Sequence, residues 1–101
     1  MQVGKLIQAT SGKSNTKRVT LEMGGKCPLV VFPDVDLDEA VSIAHQGAFA
    51  NMGQVCVSTS RLYVHEDIYE KFLAKSKTLA EKRRAQIGDP FEDKTEHGPQ
   101  V

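Results

Sequence analysis

Two residues stand where chemistry could begin. Cys56 lies in the stretch NMGQVCVSTSR, residues 51–61, among the small and polar neighbours Gly53, Gln54, Val55, Val57 and Ser58. That stretch joins a helix-like segment to a strand-like one. Such a connection lets backbone N–H groups point at a ligand and hold a developing oxyanion. A thiol placed there can serve as a nucleophile. A free cysteine can equally be a small buried hydrophobe, so the residue alone leaves both readings open. Glu22 is the second candidate. It ends an alternating segment just before Gly24 and Gly25. A carboxylate at a strand terminus beside flexible backbone can be a general base, or simply a solvated turn residue.

Other chemistry-bearing patterns are weaker. Gly12-Lys13-Ser14 ends like a phosphate loop, but that loop needs a glycine five positions earlier, where Ile7 stands. Gly24-Gly25-Lys26 also lacks the partner glycine and reads as a tight turn between two strands. His45, His65 and His97 are scattered and form no cluster with the cysteines. We therefore expect structural or solvent-facing histidines and no metal site. Cys27 and Cys56 match no zinc spacing and no disulfide scaffold, and they fit a reducing compartment.

The elements that must position Cys56 and Glu22 follow from periodicity. Residues 1–8 read as the last turns of a helix with Ile7 inward, and residues 10–18 as a polar loop around Gly12. RVTLEM, residues 18–23, alternates with Val19 and Leu21 on one face, as a strand does. CPLVVF, residues 27–32, is a short apolar run suited to a strand buried on both faces. Pro33 ends it. Asp36 with Glu39 three residues later forms a capping-box pattern. Leu37, Ala40, Val41, Ala44 and Ala48 then recur at helical spacing until Asn51 and Gly53 stop the helix. SRLYVH, residues 60–65, reads as a second buried strand. Asp67 and Glu70 repeat the capping pattern for a helix over 68–84, with Ile68, Phe72, Leu79 and Ala80 as its apolar face. The run Lys82-Arg83-Arg84 suits a solvated face at a helix C-terminus. The remainder, residues 87–101, is turn-rich. The order helix, strand, strand, helix, strand, helix indicates an α/β protein whose mostly parallel strands alternate with helices.

Composition narrows the partners. The 101 residues hold 13 Lys plus Arg against 13 Asp plus Glu, a net charge of zero. Nucleic-acid and membrane-surface partners call for a basic excess, so neither is expected. No apolar run approaches the roughly 18 residues of a membrane span, and no secretory signal is visible at the N-terminus.

The two candidate sites taken together resemble a known family. VTLEMGGKCP followed by FANMGQVCVSTSR closely resembles the NAD(P)-dependent aldehyde dehydrogenase superfamily, which carries a glutamate motif L-E-[LM]-G-G-K-[SC]-P and a cysteine motif F-x-N-x-G-Q-x-C. Here 34 residues separate Glu22 from Cys56, the family's usual interval. GKLIQ, SNTKRVTLEMGGK, DVDLDEAV, EDIYEKF and IGDPFEDKTEHGPQV are similar to family segments in family order. The last of them is most similar to the cytosolic or mitochondrial branch that oxidises general and retinoid-type aldehydes.

The resemblance implies the oxidation of a small-molecule aldehyde to a carboxylic acid, with NAD or NADP as cofactor. It implies Cys56 as the nucleophile and Glu22 as the base that activates a hydrolytic water. Gly24, at the Gly24-Gly25 turn, would let backbone pass close to the nicotinamide. Gly4, the glycine that remains of the family's pattern at the start, would be a cofactor-binding residue together with Gly24. Val55 and Val57 would flank the nucleophile at the floor of the substrate tunnel. Cys27 stands where many relatives have serine and receives no catalytic role. The family reads G-S-T-E-V-G where this chain reads MQVG, so Met1 and Gln2 replace the threonine and glutamate. The resemblance also implies a piece of a longer fold: residues 1–24 as the end of a cofactor-binding domain and 25–101 as the start of a catalytic domain. It implies a cytosolic or mitochondrial-matrix homo-oligomer. Two other readings stand beside it: a non-catalytic structural module derived from the same fold, and a cofactor-free thiol esterase.

Overall fold

The computed structural model describes residues 1–100. The elements run α1 (Gln2–Lys13), β1 (Pro28–Val31), α2 (Leu37–Phe49), a 3-10 turn (Ala50–Gly53), β2 (Arg61–Val64) and α3 (Glu66–Arg84). β1 and β2 pair in parallel, with Pro28 opposite Arg61 and Val31 opposite Val64. Parallel neighbours need a long crossover, and α2 supplies it, so residues 28–64 form one β-α-β unit. The chain is α/β, with the parallel pairing expected from its sequence.

α2 starts where its cap dictates. The Asp36 carboxylate accepts from the N–H groups of Asp38 and Glu39, each at 3.0 Å. Two amides that would otherwise lack partners are thereby satisfied, a stabilisation of about 1 kcal/mol. Val41 and Ala44 point from α2 into a core completed by Val31 and Phe72. Leu29, Leu37, Ala40, Val64, Ile68 and Leu79 pack around it. Both helices therefore cover one face of the two-stranded sheet, and Phe72 of α3 is the largest side chain they enclose. A Lys75–Asp38 ion pair links the two helices at the surface.

Several sequence expectations are corrected. Residues 18–23 are not a strand: residues 16–27 carry neither helix nor ladder. An alternating segment becomes a strand only by pairing, and no described segment lies alongside it to complete a ladder. α1 continues to Lys13, through the expected loop, because the Ser14 N–H still bonds the Thr10 carbonyl at 3.0 Å. It ends where the Thr16 N–H reaches back to Ser11 O at 3.0 Å and Thr16 takes φ 53°. α3 begins at Glu66 rather than 68. His65 caps it, its Nδ1 accepting from the Asp67 N–H at 3.3 Å. The strands are not buried on both faces: Val30 and Tyr63 are 56% and 54% exposed on the face away from the helices. Arg83 is not simply solvated, as its contacts with α2 show below.

The molecule is flat. Its extents are 55 × 40 × 17 Å and its radius of gyration is 18.9 Å, against about 13 Å for a compact chain of 100 residues. α1 stands apart from the β-α-β unit. It touches the extended segment through Gly4, which approaches Leu21 and Met23, and through Ser11, whose hydroxyl donates to Lys17 O.

Candidate active site

The Cys56 loop is held from two sides. After α2 the chain takes three successive left-handed residues, Asn51 (φ 49°), Met52 (φ 59°) and Gly53 (φ 72°). For Asn and Gly this conformation costs little; for Met52 it is a strained placement. The Asn51 side chain closes the turn, its Nδ2 donating to Gln54 O at 3.1 Å while the Gln54 N–H returns to Asn51 O at 3.0 Å. Next comes a tight turn, with the Ser58 N–H on Val55 O at 3.0 Å. Cys56 and Val57 are its two central residues, and both are exposed. Beyond the turn the strand is tied back to the end of α2. The Ser58 hydroxyl donates to Gly47 O at 3.2 Å and the Thr59 N–H to the same oxygen at 3.1 Å. Gly47 is needed here, because a Cβ would lie 2.8 Å from Thr59 Oγ1.

The glutamate motif closes the other side. Gly25 packs against the backbone of Cys56: a Cβ at residue 25 would lie 2.8 Å from Cys56 O, so only glycine allows the approach. The Cys27 thiol donates to the same carbonyl at 3.5 Å. Arg61 fastens the segment further, its Nε donating to Lys26 O at 2.9 Å and its N–H to Cys27 O at 3.2 Å. Two motifs far apart in sequence thus meet at one peptide. Among the described residues no backbone hydrogen bond engages the N–H groups of Cys56 and Val57.

The other expected residues fall into place around this junction. Glu22 is exposed on the extended segment that leads into Gly24-Gly25. Val55 is half-buried before Cys56 and Val57 exposed after it, 69% accessible. Gly4 lies against the Met23 sulfur and the Leu21 side chain, where a Cβ would come within 3.2 Å. Its observed surroundings are therefore those of a packing contact. A cleft of about 390 Å³ lined by Met1, Lys5, Gln8, Ala9, Leu21 and Met23 separates α1 from the glutamate segment.

A nicotinamide cofactor can be tested against these residues. Gly24 has nothing within 4 Å of a Cβ position, while its neighbour Gly25 closes on Cys56. The Gly24 side of this turn is therefore open next to the cysteine.

Sequence reasoning passed over Cys27, Gly47, Ser58, Thr59 and Arg61. No local pattern distinguishes them, since each acts on a partner far along the chain. Among the described residues no three His, Cys, Asp or Glu side chains converge to hold a metal. His45 instead stacks on Phe49 with ring centroids 4.7 Å apart. It accepts from Arg83 Nε at 3.0 Å, and the guanidinium lies 5.9 Å from the Phe49 centroid. Burial, then the Arg83 charge, lowers the His45 pKa from its ordinary value.

Known proteins share the sequence and the fold. The aldehyde dehydrogenase family matches residues 1–101. The chain is 59% identical over 100 residues to an aldehyde dehydrogenase of Enchytraeus buchholzi, covering 99% of this chain and 20% of that protein. It is 58% identical over 100 residues to omega-crystallin of Enteroctopus dofleini, with 99% and 20% covered. The NAD+ complex structure of an aldehyde dehydrogenase from Bacillus cereus superposes with a TM-score of 0.89 at 39% identity, over 98% of this chain and 20% of that one. The chain thus spans about a fifth of the length of the curated relatives it matches. With the glutamate and cysteine motifs folded against one another and this match along its whole length, the chain belongs to the aldehyde dehydrogenase family.

Proposed function

We propose that the chain carries the reacting centre of an enzyme that oxidises a small-molecule aldehyde to a carboxylic acid. The observation that carries this reading is the closure of Gly25 and Cys27 on the Cys56 carbonyl, which holds the peptide of an exposed cysteine against the glutamate motif. The Cys56 thiolate adds to the aldehyde carbon, and the oxygen becomes an oxyanion. The Cys56 N–H stabilises this charge. NAD or NADP held beside Cys56 would supply the hydride acceptor for this adduct. Gly24 gives the ring its approach, and Gly4 belongs to the helix on the cofactor side. A thioester then remains on Cys56. Glu22 takes a proton from water, the hydroxide attacks the thioester, and the acid leaves with Cys56 restored. Val55 and Val57 contribute apolar surface beside the nucleophile for the aldehyde's carbon skeleton.

The family's arrangement extends this reading. Residues 1–24 close a cofactor-binding domain and 25–101 open a catalytic one, in a homo-oligomer of the cytosol or mitochondrial matrix. The similarity to a protein named omega-crystallin favours a second reading, a structural module that keeps the fold without turnover. The thiol esterase reading needs only Cys56 and its donors. One chimera separates them: residues 1–101 replace the matching fifth of the Enchytraeus buchholzi aldehyde dehydrogenase. We expect NAD-dependent aldehyde oxidation, abolished by Cys56→Ser and retained in Cys27→Ser. Folded protein without dehydrogenase activity would support the structural reading, and ester hydrolysis alone would support the esterase.

A further inference from the structure

We propose that Cys27 is the resolving thiol for Cys56, so that peroxide oxidation of Cys56 ends in a reversible Cys27–Cys56 disulfide. The inference rests on the reading of Cys56 as a reactive thiol. Both cysteines are free, with Cys56 exposed and Cys27 half-buried. An oxidant from solution therefore meets Cys56 first. Cys27 Sγ lies 3.5 Å from the carbonyl oxygen of Cys56. A carbonyl oxygen is about 2.4 Å from its own Cα, so Cys27 Sγ lies within about 6 Å of Cys56 Cα. A disulfide needs Cβ atoms roughly 3.8 Å apart. Forming the bond requires the exposed turn 55–58, closed by the Ser58 N–H to Val55 O bond and tied to Gly47 O through the Ser58 hydroxyl, to bring the Cys56 side chain round toward Cys27.

The chemistry balances without further reagents. The Cys56 thiolate attacks one oxygen of hydrogen peroxide, the O–O bond breaks, and hydroxide leaves. Sulfur is oxidised to the sulfenic acid and peroxide is reduced. The Cys27 thiolate then attacks the Cys56 sulfur. The S–O bond breaks as the S–S bond forms, and the departing hydroxide takes up the Cys27 proton. Two thiols and one peroxide give one disulfide and two waters. The product blocks the nucleophile but holds it on the reversible side of sulfinic acid. A serine at residue 27 would lose this protection.

The test is peroxide treatment of the full chain, then non-reducing peptide mapping by mass spectrometry. We expect an intramolecular link between the peptides holding Cys27 and Cys56. Iodoacetamide labelling of Cys56 should disappear with it and return after dithiothreitol. In Cys27→Ser we expect a dimedone-trapped sulfenic acid on Cys56, then sulfinic acid that dithiothreitol does not reverse. Sulfenic or sulfinic Cys56 in the wild type with Cys27 still free would overturn the proposal and leave the nucleophile reading standing. Disulfides formed only between chains would also overturn it. A Cys56 that neither oxidises nor alkylates would remove both.

Discussion

Gly25 and Cys27 reach the same oxygen, the carbonyl of Cys56, one by lacking a side chain and the other by donating from it. The Cys56 peptide is therefore set by the glutamate motif and not only by its own loop. Glu22 lies three residues upstream of Gly25, on the segment that makes this contact. Its assigned work begins only once a thioester exists. In the chimera we expect Glu22→Gln to retain the rapid first formation of NADH and to lower steady-state turnover by about a hundredfold or more, the usual contribution of a general base. Pre-steady-state absorbance separates the two phases. An equal fall in the first turnover would show that Glu22 acts before deacylation.

At the scale of elements, α2 and α3 are joined by a polar contact as well as by the core. Arg83 donates to His45 and lies over Phe49, which orients the last turn of α2 just before the Asn51 turn. His45 accepts at Nε2, so the folded state holds the neutral imidazole. Burial first and the Arg83 charge second lower its pKa below 6.5 in the folded chain. The unfolded chain keeps the ordinary value and takes up the proton first as pH falls. His45 therefore contributes stability that is present above pH 6.5 and lost as the pH drops through that value toward the folded one. Urea unfolding from neutral to mildly acidic pH should show this loss, and His45→Gln should flatten it. An unchanged slope in the variant would assign the pH dependence elsewhere.

The whole molecule is thin and exposes apolar surface on several sides. Val3 and Leu6 of α1 are 68% and 66% accessible, and Phe32 at the end of β1 is 62% accessible. Both outer edges of the two-stranded sheet lack a ladder partner among the described residues. Open strand edges and contiguous apolar faces drive association. Light scattering after size exclusion should give a mass that rises with concentration above the 11.1 kDa of one chain. A constant monomer mass with no binding of an apolar dye would show that the chain tolerates these faces.

The local signals were read directly from sequence because each acts within a few residues. The Asp36 cap, the helical spacing of Val41 and Ala44, the stop at Asn51 and Gly53, and the apolar runs that became β1 and β2 are of this kind. The glutamate and cysteine motifs were legible as motifs, and so was the family. Other features depended on distant partners. Residues 18–23 alternate like a strand but have no ladder to join, and the two real strands have one open face because helices cover only the other. His65 replaced Asp67 as the α3 cap because its ring nitrogen reaches the free N–H first. The contact of Gly25 and Cys27 with Cys56 belongs to the tertiary structure alone. Parallel pairing of β1 with β2 sets residues 27 and 61 side by side, and no spacing along the chain encodes which atoms then touch.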